Sequence, residues 1–259
     1  MTILFSISAT VFGQETVKPA TETAKPAAAL KPVTEVKLAA KLPTVQEVLA
    51  KYVQAIGGRE ANEKIKTRMM KGTLELAPMG IKGSIESYVS APGKSYSKTT
   101  LQGIGDIIEG FDGTTAWTIN PLQGNRDKSG EELLQTKLIN NFYRETNLEK
   151  LYPKMTVTGT DKVGDREVYV VSATPVGLDT ETFYFDKQNG LLLRSDGNFV
   201  SPEGKTSTKT FYEDFREIDG IKQPFKIRSV LPQFEITTNI MEIKNGVAIE
   251  EAKFSKPKM

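Results

Sequence analysis

From residue 44 onward the hydrophobic and polar positions repeat with two different periods, and the switches between them divide the chain into elements. In "TVQEVLAKYVQAIGG", Val45, Val48, Leu49, Tyr52, Val53 and Ile56 recur at helical spacing, Thr44 and Glu47 form a capping-box pattern, and Gly57-Gly58 ends the run. The stripe is one-sided, so this helix is expected to lie on an apolar surface rather than inside a bundle. A short further turn is expected at "REANEKIK". From about Lys66 the period becomes two. Met70, Leu74 and Leu76 alternate with Lys71, Thr73 and Glu75; Ile81, Ile85 and Val89 alternate with Lys82, Ser84, Glu86 and Tyr88. Both runs predict half-buried antiparallel strands.

Further strands are predicted at "KSYSKTTL", "DIIEGF" and "TTAWTI". A second helix is predicted over 129–149, where Ser129 and Glu132 repeat the capping-box pattern and Leu134, Leu138, Ile139 and Phe142 supply an apolar stripe. Beyond Pro153 come "MTVTGT", "REVYVVSAT", "TETFYFD", "LLLRSDGNF", "KTSTKTFYEDF", "QPFKIRSVL" and "FEITTNIMEI". About eleven or twelve strands and two main helices, without strand-helix alternation, predict a mainly β (α+β) fold built on one large antiparallel sheet. A twisted sheet of that many strands curls, and one-sided helices would cover its concave face.

Strand parity then sorts side chains by face. Met70, Leu74 and Leu76, Ile81, Ile85 and Val89, Trp117, Phe183 and Phe185, Phe225 and Ile227, and Phe234, Ile236 and Ile240 are expected to look toward the helices, which add Leu138 and Phe142. Two readings of this set stand side by side: an ordinary core, or an apolar ligand cavity.

Composition narrows the chemistry. The 259 residues contain no cysteine and no histidine, which removes disulfides, thiolate nucleophiles, Cys/His zinc sites and histidine general bases. The first fourteen residues, "MTILFSISATVFGQ", carry no charge and hold an apolar run from Ile3 to Phe12 that is too short to span a bilayer. They read as a signal-peptide remnant with Val11-Phe12-Gly13 as a small-residue cleavage site, although the basic n-region is missing. No cysteine is there to carry a lipid anchor. Residues 15–43, rich in Pro, Ala, Thr, Lys and Glu, read as a flexible linker. With five Lys and three Glu the linker carries +2, the whole net charge, so the domain over 44–259 is near neutral. A near-neutral domain has no electrostatic footprint for nucleic acid.

Asp and Gly recur between strand-like runs at Asp112-Gly113, Asp161 to Gly164, Asp186 to Gly190 and Asp219-Gly220, where they predict hairpin turns; the dense oxygen-ligand spacing of a calcium loop is absent. The acids of "YEDFREIDG" do not form a glycosidase pair. Glu213 and Asp214 point to opposite faces of a strand, and Glu213 and Glu217 lie about 13 Å apart at the usual rise. In "QPFKIRS", Phe225 and Ile227 share one face and Lys226 and Arg228 the other, while Pro224 predicts a frayed or edge position in the ladder.

Several stretches carry a family likeness. "GFDGTTAWTINPLQG" (110–124) resembles the hairpin of periplasmic outer-membrane lipoprotein carriers, the LolA-like group. "YFDKQNGLLLRSD" with "YEDFREIDGIKQPFKIRS" is similar to the paired hairpins of related lipoprotein-sorting proteins, and "AKFSKP" (252–257) is similar to their C-terminal strand. The likeness covers about residues 44–257. It implies an open half-barrel whose concave face and helical lid hold acyl chains of lipids or lipoproteins, with no catalytic residue, cofactor or metal. It also implies a periplasmic or otherwise exported monomer that meets envelope membrane proteins and has no transmembrane segment in the mature chain. The alternative within the same fold is an envelope sensor or protein-binding module that transfers no cargo. One position departs from the family pattern: an Arg-Pro that ties lid to barrel in the carriers is Ala91-Pro92 here, so that latch is not implied.

Overall fold

The computed structural model describes residues 41–257. The signal-like segment and most of the linker lie outside the described residues. Thirteen strands follow one another as β1 Thr67–Ala77, β2 Ile81–Ser90, β3 Lys94–Leu101, β4 Gly105–Phe111, β5 Ala116–Asn120, β6 Gly124–Asp127, β7 Lys154–Val163, β8 Arg166–Thr174, β9 Glu181–Asp186, β10 Leu192–Ser201, β11 Gly204–Ile218, β12 Ile221–Val230 and β13 Glu235–Asn245. The helices are α1 Val45–Ala55, α2 Gly58–Lys64, α3 Gly130–Ile139 and the single turn α4 Leu148–Leu151.

All thirteen strands form one antiparallel sheet in the order β6-β5-β4-β3-β2-β1-β13-β12-β11-β10-β9-β8-β7. Every neighbour is a hairpin partner except β1 with β13, so the first and last strands meet in the middle. The sheet is a curved, unclosed half-barrel whose two edges are β6 and β7. Those edges are consecutive in sequence, so residues 128–153 must travel from one edge to the other. They cross the concave face as α3, a 3-10 turn at Arg144–Thr146 and α4, and the topology itself thereby makes the lid.

The α1 helix forms as its pattern predicts. Thr44 and Glu47 close a complete capping box, with Glu47 N donating to Thr44 Oγ1 at 3.2 Å and Thr44 N donating to Glu47 Oε2 at 2.7 Å. Val48, Leu49, Tyr52 and Ile56 are buried against the sheet, where the Tyr52 ring meets Phe185 at 5.1 Å. The segment predicted as one helix over 129–149 breaks instead. Ser129 makes no side-chain cap; Glu132 is held by Arg126, and the helix stops at Asn140, beyond which Asn141 Oδ1 accepts from Tyr143 N. Leu134, expected on the apolar stripe, is exposed. Strand β6, "GNRD", has no hydrophobic signature and was not predicted; pairing to β5 alone makes it a strand.

Register fixes the faces. Across the centre, Ile240, Gly72, Ile85, Thr99 and Ile107 form one concave row, and beside it Ile236, Leu76 and Ile81 form another. The opposite, convex row is Lys244, Met69, Tyr88, Tyr96, Gly110 and Trp117. The face expected for Trp117 is therefore reversed. Its ring lies against Gly110, where an added Cβ would come 2.2 Å from the indole, and Phe254 caps it from the C-terminal 3-10 turn. "AKFSKP", expected as a strand, supplies that turn, Glu251–Phe254.

The Asp-Gly turns form as predicted. Asp219 and Gly220 both have positive φ, 54° and 75°, and Asp112 Oδ1 accepts from the backbone N–H of Thr114 and Thr115. Pro224 lies in an inner strand but beyond the stretch where β12 pairs with β13, which begins at Lys226, so its missing donor costs no ladder bond. The 219–220 turn abuts the corner between α1 and α2, where Gly57 has φ 106° and its missing Cβ would lie 2.1 Å from the Gly220 carbonyl oxygen. Gly57→Ala is expected to cost about 1–3 kcal/mol in urea unfolding. Gly58→Ala, also at positive φ but with open space around it, isolates the conformational part and is expected to cost less.

Candidate functional site

Beneath α3 the concave face does not close onto the lid. A cleft open to solvent has its floor in Ile85, Ser87 and Val89 of β2, Ser95 and Ser97 of β3 and Glu109 of β4. Its roof is Glu132, Gln135, Thr136 and Ile139 of α3 with the turn Asn140–Phe142, and Phe199 and Val200 of β10 close one side. The serines face inward because they alternate with Tyr88 and Tyr96, which turn to the convex face under the Lys253 ammonium.

The lid is fastened at three places. At its start, Arg126 Nη1 and Nη2 donate to the two Glu132 oxygens at 2.6 and 2.8 Å, and Lys128 Nζ donates to Glu109 Oε1 at 2.6 Å. Midway, Gln135 Nε2 donates to the Asn198 carbonyl at 2.7 Å while its Oε1 accepts from Val200 N at 3.0 Å. At its end Phe142 N donates to the Pro92 carbonyl at 2.9 Å. The Ala91-Pro92 turn thus holds the lid through its backbone.

A second, smaller cleft lies under α1, lined by Tyr52, Ile56, Leu192, Tyr212, Phe215 and Gln223. Arg68 and Glu145 line both clefts. The groups that Arg68 touches are neutral: its Nε donates to Asn245 Oδ1 at 2.8 Å, and its guanidinium lies 5.6 Å from the Phe142 ring centre. The Gln223 amide must turn its oxygen to the guanidinium, which has only donors; it then accepts from Nη1 and Nη2 at 3.2 and 2.8 Å. Burial lowers the pKa of Arg68, with the Glu145 charge acting in the opposite direction.

Deeper in, Arg144 is buried, its Nη2 donating to the Tyr152 hydroxyl at 2.5 Å and lying 3.4 Å from Glu181 Oε2; Tyr152 donates in turn to Glu181 Oε1 at 2.9 Å. Burial raises the Tyr152 pKa above the usual tyrosine value, against the pull of Arg144.

Of the sixteen side chains that parity and helix pattern nominate, Ile85, Val89 and Phe142 line the main cleft, and Ile240 belongs to the closed core. Phe185 borders a groove beside α1. Met70, Leu74, Leu76, Leu138, Phe183, Phe225, Ile227, Phe234 and Ile236 lie in the closed core, with Ile81 packed against it. Trp117 lies on the other face of the sheet. Sequence reasoning missed the inward serines and both arginines, yet a signal existed for one of them: Arg68 has the parity of Met70, a charge on the inward side of a strand. The acids of β11 lie elsewhere. Glu213 pairs with Lys226 at 2.8 Å and Arg228 at 3.5 Å, and Asp214 with Arg216 at 2.6 Å.

Among the described residues no helix is long and apolar enough to cross a membrane. No protein-family model and no curated protein matches the sequence. Solved structures do match. A DUF1329 family protein from Desulfovibrio piger aligns over 82% of this chain and 97% of its own, with TM-score 0.57 and 15% identity. A LolA superfamily protein from Nitrosomonas europaea aligns over 83% and 99%, with TM-score 0.54 and 15% identity. A putative outer membrane lipoprotein-sorting protein domain from Vibrio parahaemolyticus aligns over 81% and 93%, with TM-score 0.51 and 12% identity. The chain therefore has the open half-barrel fold shared by DUF1329, LolA-superfamily and lipoprotein-sorting proteins.

Proposed function

We propose that the protein is an exported, non-enzymatic carrier or chaperone that holds acyl chains of a lipid or lipoprotein in the cleft beneath α3. The observation that carries this reading is the cleft itself: Ile85, Val89, Ile139, Phe142, Phe199 and Val200 form an apolar track between sheet and lid. Each buried methylene contributes about 0.8 kcal/mol, so a chain of ordinary length offsets the cost of ordering it. Only part of the nominated face does this work. Most of the other nominated residues are packed as core, and the hydroxyls of the floor suit the polar end of an amphiphile rather than its tail.

Titration with a fluorescent fatty-acyl probe, alongside native mass spectrometry of protein purified from the periplasm, tests the reading. Saturable uptake is expected, and Ser97→Trp, which fills the floor of the cleft, is expected to weaken it by about tenfold or more. A folded protein that takes up no probe sinks the reading. Movement of the bound probe from donor to acceptor vesicles separates a carrier from a sensor, which binds without handing cargo on.

A further inference from the structure

We infer that Arg68 anchors the anionic end of the ligand, a carboxylate or a phosphate, at the junction of the two clefts, with the acyl tail running along Ile85, Val89 and Ile139. This rests on the acyl-binding reading above and adds the chemistry of the headgroup. The argument begins with what surrounds the guanidinium. Asn245, Gln223 and the Phe142 ring are all neutral, and no carboxylate of the described residues lies within the 4.0 Å of an ion pair. The other charges lining the main cleft are paired: Glu109 with Lys128 and Glu132 with Arg126. Glu145 lines both clefts as well, and its charge favours the protonated guanidinium of Arg68.

A guanidinium presents five N–H donors. Asn245 takes one and the Gln223 oxygen accepts from both terminal nitrogens, which leaves donor capacity toward the clefts that Arg68 lines. Removing a positive charge from water is unfavourable until an anion meets it, and charge-assisted bonds to carboxylate or phosphate are the strongest hydrogen bonds it forms. Ser87, Ser95 and Ser97 on the floor and Asn140 and Asn141 in the roof offer neutral hydrogen bonds to the rest of a headgroup.

The test is a matched series of sixteen-carbon amphiphiles, hexadecanoic acid, hexadecyl phosphate and hexadecanol, each displacing a neutral fluorescent acyl probe. Wild-type protein is expected to bind the acid or the phosphate about tenfold or more tightly than the alcohol. Whichever anion leads distinguishes a free fatty acid from a phospholipid headgroup. Arg68→Gln is expected to erase the preference, weakening the acid and the phosphate about tenfold more than the alcohol, and Arg68→Lys to keep part of it. Gln223→Glu, which sets a carboxylate against an intact Arg68, is expected to erase it too and serves if Arg68→Gln does not fold. Equal binding of alcohol and anions by wild type, or a preference that survives both variants, overturns the inference while leaving the acyl-binding reading intact. Displacement by none of the three overturns both.

Discussion

Trp117→Ala is expected to lower folding stability by about 3–5 kcal/mol and to leave acyl-probe uptake by the folded protein unchanged. The indole is fully buried, yet it belongs to a small second core on the convex face, away from the cleft. Its ring covers Gly110, and its Nε1 donates weakly to the Phe254 carbonyl at 3.4 Å. Alanine leaves a cavity that backbone on one side and the C-terminal turn on the other cannot both collapse to fill. The turn is also held by Lys256 Nζ donating to Asp127 Oδ1 at 2.8 Å and by the Lys253 ammonium over Tyr88 and Tyr96 at 4.0 and 4.9 Å. Urea unfolding gives the stability change, and limited proteolysis is expected to cut first around residues 251–257. A loss below about 1 kcal/mol, or loss of probe uptake in protein that remains folded, contradicts the placement of Trp117.

Glu181→Leu carries the second large effect, about 3 kcal/mol. The Arg144 side chain is 6% exposed and Glu181 22%, so removing the acid leaves a guanidinium in the interior with the Tyr152 hydroxyl as its remaining close partner. Arg144 also lies over the Tyr152 and Phe183 rings at 5.6 and 5.8 Å, and these cannot replace a carboxylate. The control is the double variant Arg144→Met with Glu181→Leu, which removes both charges and fills similar volume. It is expected to recover at least half of the loss in urea unfolding, because the cost lies in the uncompensated charge rather than in the contact. A double variant as unstable as the single one overturns that account.

How much of this was legible beforehand depends on the range of the interaction. Within a strand, parity is local, so Phe225 and Ile227 are inside and Lys226 and Arg228 outside as their alternation predicts. Turn chemistry is local too, and the four Asp-Gly sites lie where chain reversal is needed. Trp117 shows where local reasoning stops. Its size argues for the main core, but its face is set by pairing with Gly110 and by Phe254, 137 residues away. The second helix shows the same limit from the polar side. Glu132 reads as a helix-capping acid in sequence and is in fact the buried partner of Arg126 from the neighbouring edge strand.

The sequence by itself determined the strand and helix periods, the hairpin turns, the antiparallel mainly β class and the exclusion of thiol and imidazole chemistry, because each depends on residue type and spacing over a few positions. The tertiary structure alone decided that β1 joins β13, that the connection from β6 to β7 must cross the concave face as a lid, and that a cleft remains beneath it. It also decided that the lid's inner side sets Glu132, Gln135 and Thr136 beside Ile139 and Phe142, and that Arg68 stands at the junction of two clefts. Those features arise from contacts between segments far apart in the chain, where the cost of burying a charge or a hydroxyl depends on which partner the fold brings to meet it.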